Sequence, residues 1–132
     1  TEQLLAGINR LLPQLSPSVA PLIPESLASL LRREDTYIYI VPDAYGTPQA
    51  MATLCLCASP TGTKAWIEDV VTDRAARGKG YGRALILHLC AEARRMGAKS
   101  INLTSRPERE AANRLYRSLG FEQRDTNVYR RK

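Results

Sequence analysis

The chain has 132 residues, of which 44% are hydrophobic and 24% charged; this excludes a disordered, collagenous or fibrous protein and suits one domain spanning residues 1–132 around one core. No apolar run nears the roughly 20 residues of a bilayer span, and Thr1 to Leu5 lacks a basic leader and long apolar stretch, so a cytoplasmic protein with no membrane partner is expected. The net charge of +6 is lopsided: residues 1–66 hold 4 basic and 5 acidic side chains, residues 67–132 hold 15 and 8, which calls for an anionic partner, a nucleic acid or a multiply phosphorylated small molecule.

In chain order, Leu4, Leu5, Ile8, Leu11 and Leu12 recur at helical spacing, and Pro13 should end that first helix. Ser16 to Pro24 carries three prolines and reads as a loop, and Glu25 to Leu31 as a second short helix. Thr36 to Val41 is β-branched and aromatic, Pro42 to Pro48 is rich in turn residues, and Gln49 to Ala58 is apolar enough for a paired strand. An antiparallel hairpin or meander is expected there. Cys55, Cys57 and Cys90 are an odd number without the spacing of a zinc knuckle or a redox pair, so reduced thiols acting as small core residues are expected.

After a turn at Ser59 to Thr63, Ala65 to Thr72 reads as a third strand, and Ala84 to Met96 as a helix closed by Gly97. Lys99 to Thr104 is a short β-prone run, Glu108 to Leu119 a helix stopped by Gly120, and Phe121 to Tyr129 a last strand. The order, β-rich first and βαβαβ second, implies an α/β or α+β class: a mixed sheet with helices on its faces. The lone His88 falls within a helix and is left out of any site. No Cys/His/Asp/Glu cluster calls for a metal.

The segment Arg77-Gly78-Lys79-Gly80-Tyr81-Gly82, between a strand and a helix, is the strongest local signal. Glycines let main-chain N–H groups turn inward on an anion, and the helix start adds the positive end of its dipole. Arg77, Lys79 and Arg83 add full charges. A Walker A loop is excluded because Gly80, not Ser or Thr, follows Lys79. A dinucleotide fold is excluded because Ser100 to Thr104, where its acidic residue should stand, contains none.

That loop fits the pattern Arg/Gln-x-x-Gly-x-Gly/Ala through Arg77, Gly80 and Gly82. With Ile67-Glu68-Asp69-Val70-Val71-Thr72-Asp73 before it and Ala111-Ala112-Asn113-Arg114-Leu115-Tyr116 to Phe121 after it, the sequence resembles the GNAT superfamily of acetyl-CoA-dependent N-acetyltransferases. The resemblance covers residues 36–132 closely. It implies a mostly antiparallel sheet with two splayed parallel strands and flanking helices, and a short β-strand ahead of helix one, a place where this sequence opens directly on Glu2-Gln3-Leu4-Leu5.

The resemblance also implies roles. Val70 and Val71 would offer main-chain groups to the pantetheine arm of acetyl-CoA, their side chains being ordinary core valines. Gly78, Lys79, Gly80, Tyr81 and Gly82, with Arg77, would hold its diphosphate. Tyr116 matches the family's tyrosine near the cofactor sulfur, where a phenol can return a proton to the departing thiolate. Arg109 stands where many members carry a cofactor-binding asparagine, and Asn113 would approach the pantetheine arm. For the base that takes the amine's proton the candidate is Glu68, a carboxylate on an otherwise apolar strand; Trp66 and Val70 should share its face, with Asp69 pointing away and Asp73 capping the loop.

The resemblance thus implies direct acetyl transfer to a primary amine, more in keeping with a small molecule than a protein, with no covalent acyl-enzyme and no metal. The alternative is a non-catalytic acyl-CoA sensor on the same fold. A nucleic-acid-binding role for the Arg-rich end, Arg124 to Lys132, ranks lower because interleaved aromatics are missing. Homodimers through the sheet edge or last strand are common in the family.

Overall fold

The computed structural model describes residues 2–132. Two helices come first, α1 (Glu2–Leu15) and α2 (Pro24–Leu31), then the strands β1 (Thr36–Pro42), β2 (Pro48–Ser59) and β3 (Gly62–Thr72). A short 3-10 turn (Arg74–Ala76), α3 (Tyr81–Arg95), β4 (Ile101–Asn102) and α4 (Glu110–Ser118) complete the described elements. The strand that the resemblance places ahead of α1 would precede the described residues.

The sheet order is β1-β2-β3-β4, antiparallel at the first two junctions and parallel at the third. This is the expected mixed sheet, and alternation sorts its side chains into two cores. Ala50, Ala52, Leu54, Ala65 and Ile67 face α3, whose Leu85, Ile86, Leu89 and Ala93 complete one buried cluster. Met51 and Val71 face the other way, against Ile8, Leu11 and Leu12 of α1 and Leu27 of α2. The second cluster closes tightly because Gly7 lacks a side chain: a Cβ there would stand 2.4 Å from two ring carbons of the buried Pro48.

Four details depart from the sequence expectations. The first helix runs through Pro13 to Leu15. Proline removes one hydrogen bond, but it stands in the last turn on the exposed side, and the Ser16 N–H closes the helix on the Leu12 carbonyl at 3.0 Å. The strand expected over 99–104 pairs only at Ile101 and Asn102. Residues 121–129 form no strand: from Glu122 onward the segment is polar and exposed, and Val128 and Tyr129 are 78% and 87% accessible. Those two have too little apolar company to dock a ladder. Lastly, the three cysteines are free, as expected, but Cys57 is exposed, because neither α1 nor α2 reaches that end of β2.

Candidate active site

β3 and β4 begin side by side, Ala65 opposite Ile101 and Trp66 opposite Asn102, and pair no further. β3 continues six residues past Trp66 while the chain after Asn102 turns away. A wedge-shaped cleft of about 1580 Å³ opens between them. One wall is β3 from Ile67 to Thr72; the other is the segment from Leu103 to Arg106 and then α4, including Leu115 and Tyr116. The glycine loop closes one side, and the end of α1 with the segment after it lines another.

Within the first wall the strand is interrupted. Thr53 pairs with Glu68 and Met51 with Val71, so Asp69 and Val70 together stand opposite Ala52. Asp69 has φ of 53°, the left-handed region that aspartate tolerates better than most residues. This bulge shifts the alternation by one. Val70 therefore packs on the α3 face and Val71 on the α1 face, both as core valines, and Val70 does not share a face with Glu68 as strict alternation predicts. The sequence signal for the bulge is two adjacent carboxylates in a strand, the second a poor strand former.

Glu68 is exposed, lines the cleft and forms no salt bridge among the described residues. Partial burial raises its pKa above the ordinary glutamate value, and the Asp69 carboxylate adds to the rise. Tyr116 is half-buried, edge-on to Phe121 at 6.0 Å between ring centres, and its hydroxyl has no hydrogen-bond partner among the described residues. Burial raises its pKa, opposed by the Arg109 guanidinium. The phenol therefore stays protonated at neutral pH.

The loop is open where an anion must approach. Gly78 and Gly80 have φ of 82° and 80°, and a Cβ on either would meet nothing within 4 Å. Gly80 is the residue before α3, with no side-chain cap; the first helical bond runs from the Ala84 N–H to the Gly80 carbonyl. The N–H groups of Gly80, Tyr81, Gly82 and Arg83 are thus left without helical partners, pointing out of the helix start. A Cβ on Gly82 would touch Leu115 and Thr72 at 3.7 Å, an ordinary contact. Glycines held in left-handed geometry over open space fit a diphosphate, and Arg77 and Arg83 line the same cleft.

Of the other expected residues, Lys79 is exposed at the loop tip and does not line the cleft. Arg109 does, and its guanidinium reaches across to donate to the Leu15 carbonyl at 3.3 Å. Asn113 turns away: its amide donates to the carbonyls of Arg106 and Arg109, both at 2.9 Å, and holds the turn that starts α4. His88 lies outside the cleft, edge-on to Tyr39 at 5.2 Å. Asp73 caps the 3-10 turn, accepting from the Ala75 N–H. Sequence reasoning missed Arg106 and Arg114, two more cleft guanidiniums, and Arg130; the charge asymmetry was their only signal.

Residues 8–121 match the model of the acetyltransferase (GNAT) family. Glucosamine 6-phosphate N-acetyltransferase 1 of Oryza sativa subsp. japonica is 30% identical over 137 aligned positions, covering 94% of this chain and 81% of the relative. The uncharacterized N-acetyltransferase YhdJ of Bacillus subtilis (strain 168) is 38% identical over 61 residues, 46% of this chain and only 43% of that relative's length. Among solved structures, that of an acetyltransferase from Trypanosoma brucei superposes with a TM-score of 0.84 at 27% identity, covering 100% of this chain and 95% of the other.

Proposed function

The chain belongs to the GNAT acetyltransferase family, and on that premise we propose that it passes the acetyl group of acetyl-CoA directly to the primary amine of a small, negatively charged acceptor. The observation that carries this reading is the parting of β3 from β4 beside a glycine turn whose N–H groups are open. An extended arm can pair with the free edge of β3 while a diphosphate rests on the turn.

Acetyl-CoA, when bound, supplies a thioester activated for attack. Main-chain groups of Val70 and Val71, on the edge that β4 leaves unpaired, hold the arm, and an N–H near Val71 stabilises negative charge on the carbonyl oxygen. The Gly78 to Arg83 amides, with Arg77, bind the diphosphate. Glu68, directly or through one water, takes a proton from the acceptor's ammonium so that the neutral amine attacks, and its raised pKa makes it a stronger base than an ordinary glutamate. Tyr116 returns a proton to the leaving sulfur, a role suited to a phenol kept neutral by burial.

The acceptor's charge is proposed from single guanidiniums on the far wall and from the rice relative. Arg106, Arg109 and Arg114 line the cleft beyond the glycine loop, interspersed with Glu108 and Glu110, so what meets an anion there is an individual guanidinium and not a large net charge. The rice relative is named for glucosamine 6-phosphate, which carries an amine and a phosphate in one small molecule, and it is the first acceptor to assay. The test follows thiol release from acetyl-CoA with glucosamine 6-phosphate, with unphosphorylated glucosamine and with a panel of other amines, beside calorimetry of coenzyme A. Release that prefers the phosphorylated amine supports the reading. Coenzyme A uptake without release by any amine favours a sensor, and no uptake overturns the reading.

A further inference from the structure

Asp73 is the one buried charged side chain among the described residues, and no step of the chemistry uses it. Its surroundings define what it does. The Arg10 guanidinium of α1 donates to Asp73 Oδ2 and to the Pro48 carbonyl. One helical turn on, Gln14 donates to Asp73 Oδ1 at 3.3 Å and accepts from the Arg74 N–H at 2.9 Å. Asp73 Oδ1 also accepts from the Ala75 N–H at 3.2 Å. The first two N–H groups of the turn that leads into the glycine loop thus end on α1, or on a carboxylate that α1 holds. Arg10 keeps the Asp73 carboxyl below the usual carboxylate range.

We propose that Arg10 and Gln14 are positioning residues for the anion-binding loop: through Asp73 they fix where the loop leaves β3, so that its amides are set for the diphosphate before it arrives. The inference rests on the coenzyme A site proposed above. The far end of the loop is held by α3; without the α1 tie the near end keeps the Asp73 N–H bond to the Gln49 carbonyl at 2.8 Å and its own turn, but nothing fixes the Arg74 N–H or the Asp73 carboxylate, and binding must then order that end at a cost in affinity. Gln14 also lines the cleft, as do Leu15 and Ser16 after it, so the wall on that side and the loop are braced by the same helix.

A matched pair of variants tests this, because α1 carries a second amide clamp of the same kind. Asn9 donates to the Leu22 carbonyl at 3.0 Å and accepts from the Leu22 N–H at 2.8 Å, tying α1 to the loop before α2 and not to the glycine loop. Calorimetry with coenzyme A is run on the full chain, on Gln14→Ala and on Asn9→Ala, with thermal unfolding of each. Gln14→Ala is expected to bind coenzyme A about tenfold more weakly, whereas Asn9→Ala stays within about twofold of the parent, though both lose thermal stability. Should Gln14→Ala fail to fold, Gln14→Met, which keeps length and helix preference but neither hydrogen bond, repeats the test. Parent-like affinity in the Gln14 variant, or an equal loss in the Asn9 variant, overturns the positioning role and leaves the proposed site intact. A parent protein that takes up no coenzyme A removes both.

Discussion

α3 and α4 belong to the same side of the sheet, yet they are built differently. α3 has 15 residues and buries Leu85, Ile86, Leu89 and Ala93; α4 has 9 and buries none. The apolar side of α4 is nevertheless continuous, since Ala112, Leu115, Tyr116 and Leu119 recur at helical spacing and are all half-buried. That side is divided between the core, where Tyr116 meets Phe121, and the cleft, which Leu115 and Tyr116 line. A helix that spends its apolar stripe on the core contributes stability; one that leaves it half open can present a side chain to a ligand.

The largest effect expected from this contrast is on folding. Leu89 is fully buried, so Leu89→Ala should cost about 2–5 kcal/mol in denaturant unfolding, and Leu115→Ala in α4 clearly less. Equal losses would break the comparison. On activity the order reverses: Tyr116→Phe should slow thiol release on the order of a hundredfold while barely moving the unfolding midpoint, because its hydroxyl bonds to nothing among the described residues. An unslowed Phe variant would mean that α4 is not a working wall.

The loop ahead of α3 sharpens the contrast at smaller scale. Gly80→Ala puts a side chain on left-handed backbone, costing about 1 kcal/mol and weakening coenzyme A binding measured by calorimetry. Gly82→Ala adds a methyl in ordinary contact and should leave both nearly unchanged.

The smallest effects are on pH. Glu68 lies within β3 and Asp73 just past its end, and their pKa values move in opposite directions. Asp73 is lowered by Arg10, so its contribution to stability is complete above the ordinary aspartate value of about 3.9 and fades as pH falls through the lowered one. Comparing Asp73→Asn with the parent across acid pH reads this directly: the stability gap should narrow on acidification. Glu68 is raised, so the fold favours its neutral form, and any gain exists at low pH and is lost as pH rises through the raised value. In the rate profile the acid limb should therefore lie above about pH 4.3 and vanish in Glu68→Gln.

Much of this was readable because the signals are local. The helix near Ala84 to Met96, the hairpin over Thr36 to Ala58 and the glycine turn are each specified by neighbours within a few residues. What was missed depends on partners distant in sequence. Nothing near Asn113 tells that its amide will be spent on the carbonyls of Arg106 and Arg109, and nothing near Val128 tells that no strand receives it. Pro13 reads as a stop but stays inside the helix: its ring gives up one bond to the turn before it, a loss that the packing of α1 outweighs, and the Ser16 N–H still closes the last turn on the Leu12 carbonyl.

By itself, the sequence determined the class of fold, the order of its elements as far as α4 and the loop where an anion can rest, since periodicity, glycine placement and charge are properties of short stretches. Tertiary structure decided the rest. The bulge at Asp69 resets which valine faces which helix, the early parting of β3 from β4 makes the cleft, and Asp73 is drawn to α1 across 63 residues of chain. Each of these arises where two segments compete for the same hydrogen bonds or space, and that competition is settled only when the segments meet.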